Sequence, residues 1–181
     1  FGATGNTGSV VANALLDRGK KVRALVRHPE RAEALRARGA EIVAGDVTDR
    51  QRVSAALEGA EGAYLLVPPD PTADDFLGRG RRVVDNYVAG LAAHHVPHAV
   101  FLSSVGAQIP SGTGPIVITH HAEATLPAAG ATRFTFLRAA YFMENLLANA
   151  HAMKKDGVLP VFGGGEGYPF PMIATRDIGE T

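Results

Sequence analysis

The sequence predicts an α/β protein: a doubly wound parallel sheet covered by helices on both faces, in three α/β/α layers. Three observations lead there. Apolar residues switch along the chain between a period near two and one near 3.6, so short strands and helices alternate. Strands separated by helices pair in parallel through right-handed crossovers. A glycine run, Gly2-Ala3-Thr4-Gly5-Asn6-Thr7-Gly8, stands between an apolar residue and the first helix. No internal repeat, low-complexity tract or linker divides the 181 residues, a length that suits one domain with its own core.

The elements follow in order. After the glycine run, Val10, Val11, Ala14, Leu15 and Leu16 recur at the helical period, and Arg18-Gly19 ends the helix. Lys21 to Arg27 reads as a strand, with Val22, Ala24 and Val26 on one face. Pro29 to Arg38 is a short helix with proline in its first turn and Gly39 past its end. Glu41 to Gly45 is a strand, Asp49 to Leu57 a helix, and Ala63 to Val67 an apolar strand ended by Pro68-Pro69. Asp74 to His94 is a long helix carrying Phe76, Val83, Val84, Tyr87, Val88 and Leu91, with internal glycines that weaken it. Ala99 to Ser103 is a strand, Pro115 to Ala129 holds a helix, and Arg133 to Leu137 is a strand. Both ends are expected to continue. A strand of about five residues should precede the glycine run, and Asp177 to Glu180 has the spacing of a helix start. The chain therefore reads as a fragment, with part of its ligand pocket expected beyond Thr181.

The glycine run has the context of a dinucleotide-binding, Rossmann-like turn. A pyrophosphate needs a tight turn, bare backbone and a helix N-terminus with unpaired N–H groups. Gly2 and Gly5 suit the turn and the close approach, Thr4 lies between them, and Gly8 lets the helix pack near the sheet. The end of the next strand selects the dinucleotide. NAD sites place a carboxylate there, whereas this chain has Arg27, about 25 residues after Gly2, with Arg31 nearby. A guanidinium binds a 2′-phosphate that a carboxylate repels, so NADP(H) is expected over NAD(H). The other reading leaves these arginines merely solvated.

In such sheets the ligand lies across the carboxyl ends of the strands. That adds the loops at Gly45-Asp46-Val47, Val67-Pro68, Ser103-Ser104 and Arg138 to Phe142. Asp46 can accept a hydrogen bond from adenine, with Val47 against the ring, or it can serve a turn or helix cap. Val67-Pro68 can wall the cofactor ribose or only end a strand. Ser103 or Ser104 can meet the nicotinamide, or bond locally to backbone. Tyr141 and Phe142 can wall a flat acceptor or belong to the core.

Composition excludes other classes. Eighteen basic and eighteen acidic residues cancel, so nothing steers the chain to nucleic acid or an anionic membrane. No apolar run is long enough to span a bilayer. Cysteine is absent, which removes thiol nucleophiles and zinc-thiolate sites. A cytoplasmic location is expected. No metal site is expected either: His94, His95 and His98 lack a carboxylate at ligand spacing and read as complements to a helix dipole.

Four stretches carry a family resemblance: the Gly2 to Gly8 run, Gly45-Asp46-Val47, Phe101 to Gly106, and Phe136 to Asn145 with its Leu-Arg and Phe-Met-Glu-Asn. On these the chain resembles the NmrA-like, atypical short-chain dehydrogenase/reductase family over nearly its whole length. Pro171 to Ile178 is similar to a later family segment. The resemblance implies NADP(H) or NAD(H) binding, with Gly2, Gly5, Asn6, Thr7 and Gly8 at the pyrophosphate or 2′-phosphate, Arg27 at the phosphate, and Asp46-Val47 at adenine. It also implies either reduction of quinone, azo or related aromatic acceptors, or redox sensing through a protein partner. Many members carry a lysine where this chain has Thr119, His120 and His121, and a proline where it has Ala139.

The Tyr-x-x-x-Lys pair of short-chain reductases is missing. Four residues after Tyr64, Tyr87, Tyr141 and Tyr168 stand Pro68, Leu91, Asn145 and Met172. Ketone reduction makes a basic alkoxide and needs a placed acid. Hydride reduction of a quinone leaves a delocalised anion that water can protonate. The expectation is therefore an NADPH-dependent reductase of a quinone-like or azo-like small molecule. A non-catalytic sensor, or an enzyme of specialised metabolism with an acid still to be found, is the alternative. His120 is the candidate acid or ribose contact, although it and His121 can also be plain capping or solvent-facing residues.

Overall fold

The computed structural model describes residues 1–70, 72–148, 150–158 and 171–181. Helix α1 (Asn6–Asp17) follows the glycine loop. Then come β1 (Arg23–Val26), a 3-10 turn running into α2 (Glu33–Ala37), β2 (Glu41–Ala44), α3 (Arg50–Leu57), β3 (Ala63–Leu65), α4 (Phe76–Ala93) and β4 (His98–Ser104). Helix α5 (Val117–Thr125) lies between two 3-10 turns and precedes β5 (Arg133–Ala139). Beyond it are β6 (Tyr141–Phe142), α6 (Asn145–Ala148), α7 (Ala150–Asp156), β7 (Met172–Ile173) and α8 (Thr175–Glu180).

Every described strand pairing is parallel, as alternation requires. β1 pairs with β2, the order β3-β4-β5 forms a second group, and β6 pairs with β7. The residues leading into the glycine loop lie between the first two groups. The Phe1 backbone nitrogen donates to the Tyr64 carbonyl at 2.9 Å, and its ring centroid is 4.9 Å from that of Tyr87. Ala3 belongs to a cluster with Ala12, Ala24 and Val26. The loop thus emerges at the centre, between β1 and β3. The main core is made by the expected stripe of α4, where Val83, Val84, Tyr87 and Leu91 are fully buried against Leu57, Leu65 and Phe101.

Two helices start with conventional caps. Asp49 accepts from Gln51 and Arg52 N–H at α3, and Asp75 accepts from Gly78 N–H at 2.7 Å at α4.

Several sequence expectations need correction. β3 ends at Leu65, so Val67 lies past the strand, because Pro68 and Pro69 cannot extend the ladder. Arg138 to Phe142 is not a loop: β5 runs to Ala139 and Tyr141-Phe142 form β6. The final helix begins at Thr175 rather than Asp177, capped from a distance by Glu144, whose carboxylate accepts the Thr175 N–H at 3.0 Å and its hydroxyl at 2.8 Å. The histidines after α4 also make side-chain contacts. His94 meets Ser54 at 2.8 Å and His98 meets Thr135 at 3.2 Å, while His95 takes φ 51° as the chain turns toward β4.

Candidate functional site

A cleft of about 1040 Å³ crosses the carboxyl ends of β1 to β5. Its floor is the glycine loop, from Gly2 through Thr4, Gly5, Asn6 and Thr7. One end is walled by Arg27, Arg31, Asp46, Val47 and Arg79. Val67 and Pro68 stand midway, and Ser103, Ser104, Thr119, Tyr141, Phe142 and Asn145 close the other end. The cofactor residues expected from sequence therefore share one cleft, with Gly8 as the exception.

The loop geometry explains both its use and that exception. Gly2 has φ 69°, a conformation that side chains disfavour, and its carbonyl accepts the Gly5 N–H at 2.9 Å. A Cβ at Gly8 would run into the Gly2 carbonyl. Gly8 is thus needed beneath the loop, where α1 approaches it, and not on the cleft wall. The cap of α1 is Gly5, which has no side chain to offer, and no acidic residue stands in the first turn. The first amides of α1 are therefore left for a ligand, unlike those of α3 and α4. The residues fit an anionic dinucleotide.

At the arginine end, Asp46 serves the turn. Its Oδ1 accepts from the Thr48 N–H at 2.8 Å and from the Thr48 hydroxyl at 2.7 Å. It still faces two cations, with Arg79 Nη2 3.6 Å from Oδ1 and Arg27 Nε 3.9 Å from Oδ2. Burial pushes its pKa up, but the Thr48 hydrogen bonds and the Arg79 and Arg27 charges outweigh this and hold it below the usual carboxylate value. The Arg27 side chain is 59% exposed and free to turn toward a phosphate, whereas Arg79 is only 13% exposed. Arg79 also donates to the Pro68 carbonyl at 3.2 Å and lies 3.4 Å from Asp70. Sequence reading missed Arg79. The available signal was a charge one turn before Val83, on the stripe of α4 that faces inward.

At the other end, Ser103 is 4% exposed and donates its hydroxyl to Glu123 Oε1 at 2.6 Å. Arg138, which stands opposite Ser103 in the β4–β5 register, grips the same carboxylate twice, Nε to Oε1 at 2.9 Å and Nη2 to Oε2 at 2.6 Å. The Arg138 hydrogen bond, with help from Ser103 and the Arg138 and His120 charges, holds Glu123 below its usual value despite burial. Glu123 was also missed, and a lone glutamate on a short helix carries no pattern that would have found it. Ser104 takes its local use, donating to the Val105 carbonyl at 3.0 Å.

The histidine expectation is corrected. His120 Nδ1 lies 2.8 Å from the Ala107 carbonyl, which only a protonated nitrogen satisfies. With His121 and Arg81 it lines a separate pocket of about 210 Å³, and Thr119 takes the cleft-facing place on α5. Tyr87 is no acid either: it is buried, donates to the Leu66 carbonyl at 2.9 Å, and burial pushes its pKa well above the usual phenol value. Tyr168 lies outside the described residues. No helix among the described residues is long and apolar enough to cross a membrane.

Comparison with known proteins gives the same ligand class. Residues 2–164 match a family model described as NAD(P)H-binding. The chain is 33% identical over 177 residues to a (4-alkanoyl-5-oxo-2,5-dihydrofuran-3-yl)methyl phosphate reductase of Streptomyces griseus, covering 98% of this chain and 58% of that one. It is 30% identical to an NmrA-like family domain-containing oxidoreductase of Aspergillus japonicus, covering 99% and 60%. It is 30% identical to an NAD(P)H azoreductase of Xenophilus azovorans, covering 86% and 52%. Among solved structures, it superposes on an Escherichia coli NADPH-dependent quinone oxidoreductase complexed with NADPH, with TM-score 0.70 and 28% identity over 86% of this chain and 53% of that one. The chain spans between half and three fifths of these relatives.

Proposed function

The chain belongs to the NmrA-like, NAD(P)H-binding family, and on that premise we propose that its single domain is an NADPH-dependent reductase of quinone-like or azo-like conjugated acceptors. The observation that carries this is the cleft itself, in which the uncapped start of α1 lies between the arginine pair at one end and a serine and aromatic wall at the other.

The residues divide the cofactor between them. Amides of the loop and of Asn6 and Thr7 hold the pyrophosphate. Arg27, with Arg31, holds the 2′-phosphate, and Arg79 offsets the Asp46 charge that would repel it. Val47 lies against adenine, Val67 and Pro68 against a ribose, and Ser103, Tyr141 and Phe142 receive the nicotinamide half. When bound, the reduced nicotinamide supplies a hydride. Glu123 is tied up by Arg138 and His120 faces another pocket, so among the described residues neither serves as proton donor in the cleft. An acceptor whose reduced anion is delocalised needs none. The azoreductase and quinone oxidoreductase that the chain resembles act on acceptors of this class. That neither Glu123 nor His120 offers a proton to the cleft favours a second reading, a cytoplasmic redox sensor that binds NADPH and signals to a protein partner.

The experiment is NADPH oxidation by the full-length protein against a panel of quinones and azo dyes, with binding of NADPH and NADH measured in parallel. Turnover with tighter NADPH binding is expected. Binding without turnover selects the sensor, equal affinity for the two cofactors defeats the Arg27 assignment, and no binding of either ends the reading.

A further inference from the structure

The Ser103–Glu123–Arg138 arrangement does something that its burial alone would not require. A carboxylate has no proton to give, so in the 2.6 Å contact Ser103 is the donor and Glu123 the acceptor. Arg138 enforces this. Its two bonds occupy both oxygens and favour the charged form of Glu123, so the carboxylate stays a pure acceptor. A serine hydroxyl has one proton and two lone pairs. With its proton turned away toward α5, Ser103 has only lone pairs left for the cleft that it lines. Among the described residues it accepts no other hydrogen bond. Glu123 itself does not line the cleft, so it acts through Ser103.

We propose that Glu123 is a positioning residue that fixes the polarity of Ser103, making it an acceptor-only contact for a hydrogen-bond donor on the nicotinamide half of the cofactor. This rests on the cofactor orientation given above. It follows that Ser103 cannot protonate a reduced substrate, and that its contribution is to binding.

The test uses the full-length protein with Glu123→Gln, Ser103→Ala and the double variant. Two probes are titrated, NADPH and adenosine 2′,5′-bisphosphate, which has the adenine end but no nicotinamide. In Glu123→Gln the amide can donate to Ser103 and turn its proton into the cleft. NADPH affinity should then fall roughly fivefold, the scale of one hydrogen bond, while the bisphosphate affinity stays within about twofold. Ser103→Ala, which leaves the Glu123–Arg138 pair intact, should do the same. In the Ser103→Ala background, Glu123→Gln should add nothing further. Equal losses for both probes, or additive losses in the double variant, would mean a general structural effect and overturn the inference. So would unchanged NADPH affinity in Ser103→Ala, which stays informative if Glu123→Gln does not fold. If the parent binds the bisphosphate and NADPH normally, the cofactor reading survives any of these failures. If it binds neither, both are lost.

Discussion

The decisive residues sort by what their side chains are already bonded to. Arg27 is exposed and only loosely paired with Asp46 at 3.9 Å, so it can reorient to a ligand. Arg27→Ala should weaken NADPH binding about tenfold and leave NADH binding nearly unchanged, as read by titration with each cofactor. Gly8 is the opposite case, since its role is to have nothing to bond. Gly8→Ala puts a methyl group into the Gly2 carbonyl. It should cost about 1–3 kcal/mol of stability in chemical denaturation and reduce NADPH affinity through the displaced loop. The glycines and Arg27 were legible in the sequence because their chemistry is local: a turn, a helix start, a strand end. Arg79 and Glu123 were not. Each becomes meaningful only when a distant partner, Asp46 or Ser103, is brought against it.

At the level of elements, the helix starts divide into two kinds. α3 and α4 carry aspartate caps that satisfy their own first amides, while α1 carries a glycine. Asp49→Ala should therefore lower stability by about 1 kcal/mol and lower the melting temperature without changing NADPH affinity; a loss of affinity would show that α3 couples to the cleft. The C-terminal elements work differently. β6 and β7 are two residues each, too short to persist on their own. They are supported by Glu144, which caps α8, and by α8 itself, whose Gly179 packs closely on Val10 of α1. The Phe-Met-Glu-Asn stretch thus joins the Tyr141–Phe142 end of the cleft to α1 by way of α8. Periodicity could not show this, because neither short strand has enough residues to display a period.

For the whole molecule, two carboxylates are held in their charged form, Asp46 at one end of the cleft and Glu123 behind Ser103 at the other. Both pKa values lie below the ordinary ones, so the folded protein binds fewer protons than the unfolded chain in this range. Their stabilisation is fully present above the ordinary carboxylate range and is lost as pH falls through the depressed values. Denaturant midpoints should drop between pH 6 and about pH 3, and an Asp46→Asn, Glu123→Gln double variant should show a shallower drop. An identical pH slope in the variant would show that these groups do not govern acid stability. The sequence by itself determined the alternation of strands and helices, the parallel sheet, the glycine turn and the strand ends that form the cleft, because those depend on periodicity and on backbone chemistry a few residues long. The tertiary structure alone decided which polar groups remain available. It turned His120 into a second pocket, bound Ser103 to Glu123, and set Arg79 against Asp46, since hydrogen bonds and ion pairs between remote segments are chosen by proximity in space.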